Sequence, residues 1–364
     1  MSGEHGVPAP GAGLTRSIKQ RLFDAAHGGS HPAVGERQRK GWAWPLAALH
    51  CCACLALPAA AAETETPETA TAPATPATVP AAPAAESRAE AEASPGAGAA
   101  AADKSQYHLF HPTPRALMRE MVTDRPDKTE SPYTLDAGHF QVEMDFLTHA
   151  RDRDKSNGGD TRVESSAVMP VNLKVGLLNQ VDLQLLLDTW NRVRTEDRVA
   201  GTVLHQSGFG DVTPRLKVNL WGNDGGKTAM GVMPFVKIPT NQDGLGNDAV
   251  EGGVILPLAI ELPLGFSAGL MTEYDFMQNA ANSRYHPEFI NSLTLGHDLV
   301  GKLDGYVEFF SQVSSDDGAD WVGTIDLGVT CELTPNLQLD FGVAIGVTPA
   351  ADDLNPFVGL SFRF

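Results

Sequence analysis

The sequence predicts an all-β fold: a transmembrane antiparallel up-and-down β-barrel of about 12 strands, of the outer-membrane type. Three observations predict it. After Ser131 the chain resolves into alternating apolar and polar segments of about ten residues, the length of a tilted membrane-spanning strand. Long and short connections between these segments alternate. The last segment has strand periodicity and ends on a bare phenylalanine, Phe364.

The first predicted strand, 138–147, shows the alternation on which the assignment depends. Even-numbered positions from Phe140 to Phe146 are apolar, whereas odd-numbered positions from Gln141 to Asp145 are polar or charged. This period of two is typical of a strand with one face against an apolar environment. The same pattern predicts further strands at 167–177, 181–190, 212–220, 229–238, 254–262, 266–276, 289–297, 303–313, 321–333, 337–347 and 357–364.

The connections differ in length in a regular way. Long polar connections are predicted at 149–162, 191–208, 239–249, 278–287, 314–320 and 348–355, and short ones at 178–180, 222–227, 263–265, 298–302 and 334–336. Long external loops and short periplasmic turns are typical of outer-membrane barrels, and an even strand number places both termini in the periplasm. A soluble β-sandwich has no reason to separate loop lengths by end.

The polar strand faces define the predicted lining of the lumen. Acidic residues outnumber basic ones there, so a lumen of this kind would be wet and would favour cations or neutral solutes. The alternative is that these side chains pair across strands and fill the barrel. The set is Glu143, Asp145, Lys174, Asp182, Asp188, Arg215, Lys217, Lys237, Glu261, Glu273, Asp275, Glu308, Asp326, Asp340 and Arg363.

Four prolines lie inside predicted strands: Pro170, Pro214, Pro234 and Pro257. Proline lacks the N–H that a ladder requires, and a closed barrel has no edge strand to accommodate it. We therefore expect bulges or kinks at these positions, with Pro214 and Pro234 on neighbouring strands sharing one distortion.

Composition excludes several classes of function. A formal net charge of -18 argues against a nucleic-acid partner, since phosphate contacts require clustered Lys and Arg. Three of the four cysteines lie together at 51–54 and only Cys331 lies beyond them, so no disulfide framework is expected. The histidines show no catalytic spacing, and G-x-S-x-G and H-E-x-x-H are absent from the sequence. We predict no enzyme activity, no metal site and no cofactor.

The amino-terminal part has the composition of an exported leader and a linker. A basic stretch ending at Lys40 precedes an apolar run and an Ala-rich exit near Ala62, which predicts an amino-terminal extension and signal peptide over 1–62. Residues 63–102 are almost entirely Ala, Pro, Thr and Glu, which predicts a disordered linker. The barrel is expected at 136–364, in the outer membrane of a Gram-negative bacterium.

Residues 103–135 precede the first strand and are too charged for lipid and too poor in apolar residues for a core. We expect this segment to cap the periplasmic mouth or to enter the lumen as a plug; an exposed linker is the alternative. The charged residues of the plug hypothesis are Asp124, Arg125, Asp127, Lys128 and Glu130.

Three stretches of the sequence carry a family resemblance. TDRPDKTESPY at 123–133 leads into DAGHFQ at 136–141, and GFGDVTPRLK at 208–217 and PFVKIPT at 234–240 follow. Together they resemble the outer-membrane barrels of the family described as putative MetA-pathway of phenol degradation, over about residues 105–364. The resemblance implies an outer-membrane channel with a mostly unassigned substrate and implies no particular site residues.

We therefore expect a channel for passive passage of small solutes, with aromatic or hydrophobic compounds as one substrate class. The alternatives are a barrel enzyme acting on lipids or esters, and a structural or adhesion barrel. Expected partners are outer-membrane lipid, an unidentified solute and the outer-membrane assembly machinery. Phe364 is the predicted recognition signal for that machinery, and its strand is expected to pair with the first strand near Phe140.

Overall fold

The computed structural model describes residues 103–279, 283–316 and 318–364, so the predicted leader (1–62) and linker (63–102) lie outside the described residues. Fifteen strand segments follow one another along this part of the chain. They are β1 (Phe140–Asp154), β2 (Thr161–Val168), β3 (Val171–Leu178), β4 (Val181–Leu187), β5 (Trp190–Asp197), β6 (Thr202–Gly208), β7 (Val212–Trp221), β8 (Thr228–Lys237), β9 (Glu251–Glu261), β10 (Phe266–Gln278), β11 (Tyr285–Val300), β12 (Leu303–Ser314), β13 (Val322–Thr334), β14 (Leu337–Gly346) and β15 (Asn355–Arg363).

All segments belong to one antiparallel sheet that closes on itself through the pairing of β15 with β1. At this seam the backbone N–H of Phe140 donates to the carbonyl of Phe364 over 3.1 Å, and the N–H of Phe364 donates back to Phe140 over 2.9 Å. Their rings stack with centroids 5.7 Å apart. The predicted closure of the last strand on the first is confirmed, and closure satisfies the backbone groups that an open edge would expose to lipid.

The barrel has twelve strands, as predicted, because six segments combine into three interrupted strands. β2 and β3 are separated by Met169, which adopts a positive φ of 56°, and Pro170. β4 and β5 are separated at Asp188 and Thr189, and β6 and β7 are separated at residues 209–211. The Thr189 hydroxyl donates to the Met169 carbonyl over 2.7 Å, so a backbone group freed at one interruption is satisfied by the next strand.

The long connections predicted at 149–162 and 191–208 were largely wrong. β1 continues to Asp154, β2 starts at Thr161, and β5 and β6 form a hairpin within the second region. Charged residues that suggested loops, among them Arg151, Arg162 and Arg194, occupy the outward face of these strands, which extend beyond the barrel's lipid-facing belt. Burial alternates along β2 and β5, where Val163 and Val193 are buried and their chain neighbours are more exposed.

The in-strand prolines have the predicted local effects to different extents. Pro170 lies at the interruption between β2 and β3. Beside Pro214 and Pro234 the ladder between β7 and β8 is incomplete: Arg215 pairs with Phe235, but the next pair is Val218 with Val232. A register shift follows between Asn219 and Trp221.

The two faces of the sheet have opposite character. Apolar side chains such as Phe276, Leu293 and Phe309 are exposed on the outside, as lipid contact requires, while charged side chains are buried inside. Part of the interior is apolar and contains the cluster Met233, Phe235, Ile255, Met271, Ile290, Phe310, Val322, Ala350 and Ala351. None of the described helices is long and apolar enough to cross a membrane.

Candidate functional site: a luminal segment and its charged anchors

Residues 119–136, which we call the luminal segment, enter the barrel from the end that carries the short turns and return to that end. At the mouth, Lys104 lies 2.8 Å from Asp224 and 3.4 Å from Asp136, and Arg119 lies 3.2 Å from Asp136. The Arg119 guanidinium also donates to the backbone carbonyl of Asn179 in the β3–β4 turn. These contacts attach both ends of the luminal segment to the rim of the barrel at the short-turn end.

The turn of the segment is held inside the barrel by ion pairs to the wall. Asp124 lies 2.6 Å from Lys174 on β3 and 2.5 Å from Lys217 on β7. Lys174 also lies 2.7 Å from Glu143 on β1, whose carboxylate accepts from the Asp124 backbone N–H over 3.1 Å. All four side chains are almost fully buried, and buried charges require partners of this kind.

Further pairs anchor the segment to β1, β13 and β14. Arg125 lies 2.6 Å from Asp145 on β1 and 2.7 Å from Asp340 on β14, while Lys128 lies 3.2 Å from Asp326 on β13.

The remaining anchors reach β7 and the wall strands β10 to β12. Glu130 accepts from the Arg215 guanidinium on β7. Thr129, which precedes Glu130 in the chain, donates its hydroxyl to Glu308 on β12 over 2.6 Å. With the pairs above, the segment therefore contacts strands around most of the circumference.

Glycines on the inner wall make room for the segment. A Cβ added at Gly359 on β15 would lie 2.2 Å from the Arg125 guanidinium, and one added at Gly176 on β3 would lie 2.1 Å from the Asp136 carbonyl. A Cβ at Gly231 would lie 3.3 Å from the Pro132 backbone. The wall is thus shaped to receive this segment closely, as glycine permits.

The segment separates two cavities. The cavity on the long-loop side has a volume of about 160 Å³. It is lined by Arg125, Asp127 and Glu130 of the luminal segment and by wall residues including Leu186 and Phe357. The cavity on the short-turn side has a volume of about 560 Å³ and is lined by rim groups such as Arg119, Tyr133 and Arg363.

Enclosure changes the acidity of the segment's carboxyl groups. Burial alone would raise the pKa of Asp124, but the ammonium groups of Lys174 and Lys217 outweigh it and hold that pKa below its usual range. Burial, together with the carboxylates of Glu130 and Asp124, raises the pKa of Asp127 to about 7. Burial also raises the pKa of Glu130, with the Arg215 guanidinium opposing it.

The predicted lumen-lining residues lie on the inward-facing positions, and the structure brings most of them to the luminal segment or to one another. Glu261 differs, because it is the last residue of β9 and is exposed at the mouth, where it lines the short-turn cavity. Asp145 is half-buried. The buried ones are Glu143, Lys174, Asp182, Arg215, Lys217, Lys237, Glu273, Asp275, Glu308, Asp326, Asp340 and Arg363.

Sequence reasoning missed the rim anchors Lys104, Arg119, Asp136 and Asp224, and it missed Thr129. The rim anchors lie in irregular segments without strand periodicity, so their signal in the sequence was weak. Within the described residues, no group of three or more His, Cys, Asp or Glu side chains is arranged to hold a metal ion.

Comparison with known proteins agrees with this architecture. An outer membrane channel from Pseudomonas putida F1 matches with a TM-score of 0.50 and 13% identity, covering 67% of this chain and 100% of that one; this likeness shows the fold. The NanC porin matches with a TM-score of 0.39 and 10% identity, covering 61% of this chain and 100% of that one. The translocator domain of the autotransporter NalP from Neisseria meningitidis matches with a TM-score of 0.40 and 11% identity, covering 62% and 88%.

No curated protein matches the chain. The model of one protein family, described as "Putative MetA-pathway of phenol degradation", matches residues 123–364, which begins within the luminal segment and includes every strand. The match covers more than half of the sequence, and the chain is therefore an outer-membrane β-barrel that belongs to this family.

Proposed function

We propose that this protein is an outer-membrane channel for the passive passage of small solutes, in which the luminal segment is a plug. The observation that carries the proposal is the position of residues 123–131 between two cavities that lie at opposite ends of the barrel. Anchors of opposite charge on the segment and the wall hold it there. Passage then requires the segment to shift, and the buried ion pairs set the cost of that shift.

Small aromatic or hydrophobic compounds are the proposed solutes. The long-loop cavity, at about 160 Å³, is close to the volume of roughly 150 Å³ that accommodates benzene in an engineered cavity. Its lining combines apolar groups such as Leu186, Leu187 and Phe357 with charged groups on the plug. Such a lining suits a ring that carries one polar substituent. The family description, which refers to phenol degradation, supports the same solute class.

Passage is tested with the purified full chain in planar bilayers and in liposomes loaded with a phenol-sensitive reporter. We expect small single-channel conductance steps and entry of phenol faster than into protein-free liposomes. A barrel that inserts, shown by heat-modifiable migration on a denaturing gel, yet gives neither conductance nor phenol entry in any plug variant would contradict the channel. Hydrolysis of an added ester or lipid substrate would favour the enzyme alternative instead.

Channel opening should depend on pH through Asp127. Its pKa is raised from 3.8 to about 7 in the inserted plug, so insertion is favoured fully below about pH 4 and this contribution is lost as pH rises through 7. Asp124, whose pKa is lowered, stays ionised throughout this window. We expect a larger open fraction in bilayers at pH 8 than at pH 5, and a weaker pH dependence for Asp127→Asn. An unchanged pH profile in that variant would exclude Asp127 as the titrating group.

A further inference from the structure

Four strand segments extend beyond the lipid-facing belt at the long-loop end: the distal half of β1, then β2, β5 and β6, hydrogen-bonded in that order. Their inward face is buried, with Val163 at 4%, Val193 at 1% and Thr195 at 3% exposure. Their outward face carries arginines. We call the set Arg151, Arg153, Arg162, Arg192 and Arg194 the basic face.

The basic face has more positive charge than its own acids neutralise. Arg151 and Arg194 are the cross-strand neighbours of Glu164, at 3.7 and 3.4 Å. Arg162 lies 2.5 Å from the same carboxylate, so three arginines share one glutamate. Arg153 pairs with Asp160 over 2.7 Å. Glu196, the other outward-facing glutamate, lies 2.9 Å from Arg194. In the described part of the chain, no ion pair involves Arg192, which is exposed.

The basic face is continuous with the lipid-facing belt. Val168 and Trp190 are direct cross-strand partners and are 40% and 46% exposed. The ring of Phe209, itself 53% exposed, meets the Trp190 ring edge-on at 6.0 Å. Arg192 is two residues beyond Trp190 on the same face, a rise of about 7 Å along a strand. Aromatic rings favour the membrane interface, so Arg192 lies at the height of lipid headgroups.

Positive charge at this end is concentrated in one sector of the wall, and Arg284 in the β10–β11 connection lies outside that sector. The connections 239–249, 314–320 and 348–355 contain aspartates and no Lys or Arg. In a chain of net charge -18, a local excess of arginine beside the apolar belt therefore needs its own explanation. Repulsion among clustered guanidinium groups is relieved by an anionic ligand, and phosphate accepts their hydrogen bonds in bidentate geometry.

We propose that the basic face binds the phosphate groups of a phosphorylated outer-leaflet lipid, whose acyl chains lie against Val168, Trp190 and Phe209. Arg192 is the central contact, since its guanidinium has no competing carboxylate. Arg151 and Arg194 lie in the next row outward and bind a second phosphate of the same headgroup. The site lies outside the barrel wall and is independent of passage through the lumen.

The test is native mass spectrometry of the full chain in detergent, titrated with bisphosphorylated lipid A and with the same lipid after removal of both phosphates. We expect the phosphorylated lipid to bind and the dephosphorylated lipid to bind about tenfold more weakly, because each exposed charge contact is individually weak. Arg151→Gln/Arg192→Gln/Arg194→Gln should lose about the same factor for the phosphorylated lipid only. Arg192→Lys, which keeps the charge and loses the bidentate geometry, should fall between.

Arg284→Gln is the matched control, because Arg284 is exposed in the β10–β11 connection, outside the basic face. It should bind lipid A as the unaltered chain does. Heat-modifiable migration checks that every variant is folded. Equal binding of the two lipids, or unchanged binding by the triple variant, would overturn the proposal. So would a dimer peak that the triple variant abolishes while lipid binding persists, since the face would then hold a second copy of the chain.

Discussion

Asp124→Asn should open the channel more than any other single substitution in the plug. Among residues 103–279, 283–316 and 318–364, Asp124 is the only ion-pair partner of Lys217, a side chain with 0% exposure, and one of two partners of Lys174. Leaving a buried charge unpaired costs on the order of 3 kcal/mol, which is a factor of roughly one hundred in an equilibrium. We expect a large rise in the open fraction in planar bilayers, with little change in the amount of folded barrel.

Two further variants separate plug release from general damage. Asp124→Asn/Lys217→Met removes both charges and should return the open fraction toward that of the unaltered chain, since an apolar replacement of a buried pair is often nearly neutral. Asp160→Asn also removes an ion-paired carboxylate, but Asp160 pairs with Arg153 in an exposed turn and should change nothing. If the double variant is as open as the single one, the Lys217 charge is not what holds the plug.

Deletion of Phe364 should lower the amount of barrel in the outer membrane several-fold while leaving the conductance of each inserted molecule unchanged. We propose that this residue is the contact by which the outer-membrane assembly machinery recognises the chain. Phe364 is 66% exposed and its ring stacks on Phe140, so it is accessible at the seam. Membrane fractionation with quantitative blotting measures the amount, and single-channel recording measures the conductance.

The control for this deletion is Phe341→Ala, because Phe341 is a lipid-facing phenylalanine of β14 with 53% exposure. Loss of one lipid-facing ring there should not affect assembly. Phe364→Ala keeps the seam hydrogen bonds that the deletion removes and should still assemble poorly. Normal amounts of the Phe364→Ala barrel would show that the seam backbone, not the terminal ring, matters.

The sequence was sufficient to predict the barrel, because lipid imposes a period-two pattern of apolar residues on every strand that crosses it. The seam followed from the same rule, with Phe364 opposite Phe140. The extension of β5 and β6 could not be found in this way. Beyond the lipid, an outward-facing charged residue such as Arg194 is solvated equally well in a strand and in a loop, so its charge does not distinguish the two. Alternation of Val193 and Thr195 with charged neighbours was the available signal.

The site was harder to predict than the fold. Charged residues of the segment 123–131 were recognised as unsuited to lipid, yet their partners are set by barrel geometry: Arg125 and Asp340 are 215 positions apart in the chain. Strand periodicity identifies Asp340 as inward-facing but does not say which height in the lumen it occupies. Nor does it reveal that Gly359 leaves space for a guanidinium.

The luminal segment enters and leaves by the same mouth, and this determines how it can come out. It forms a loop inserted into a tube without passing through it, so nothing topological locks it in place. Tension on the chain preceding Lys104 would first break the pairs at the rim and then draw the loop outward, while the seam between Phe140 and Phe364 stays closed. Withdrawal of the loop by tension on the chain therefore opens the barrel without unfolding any strand.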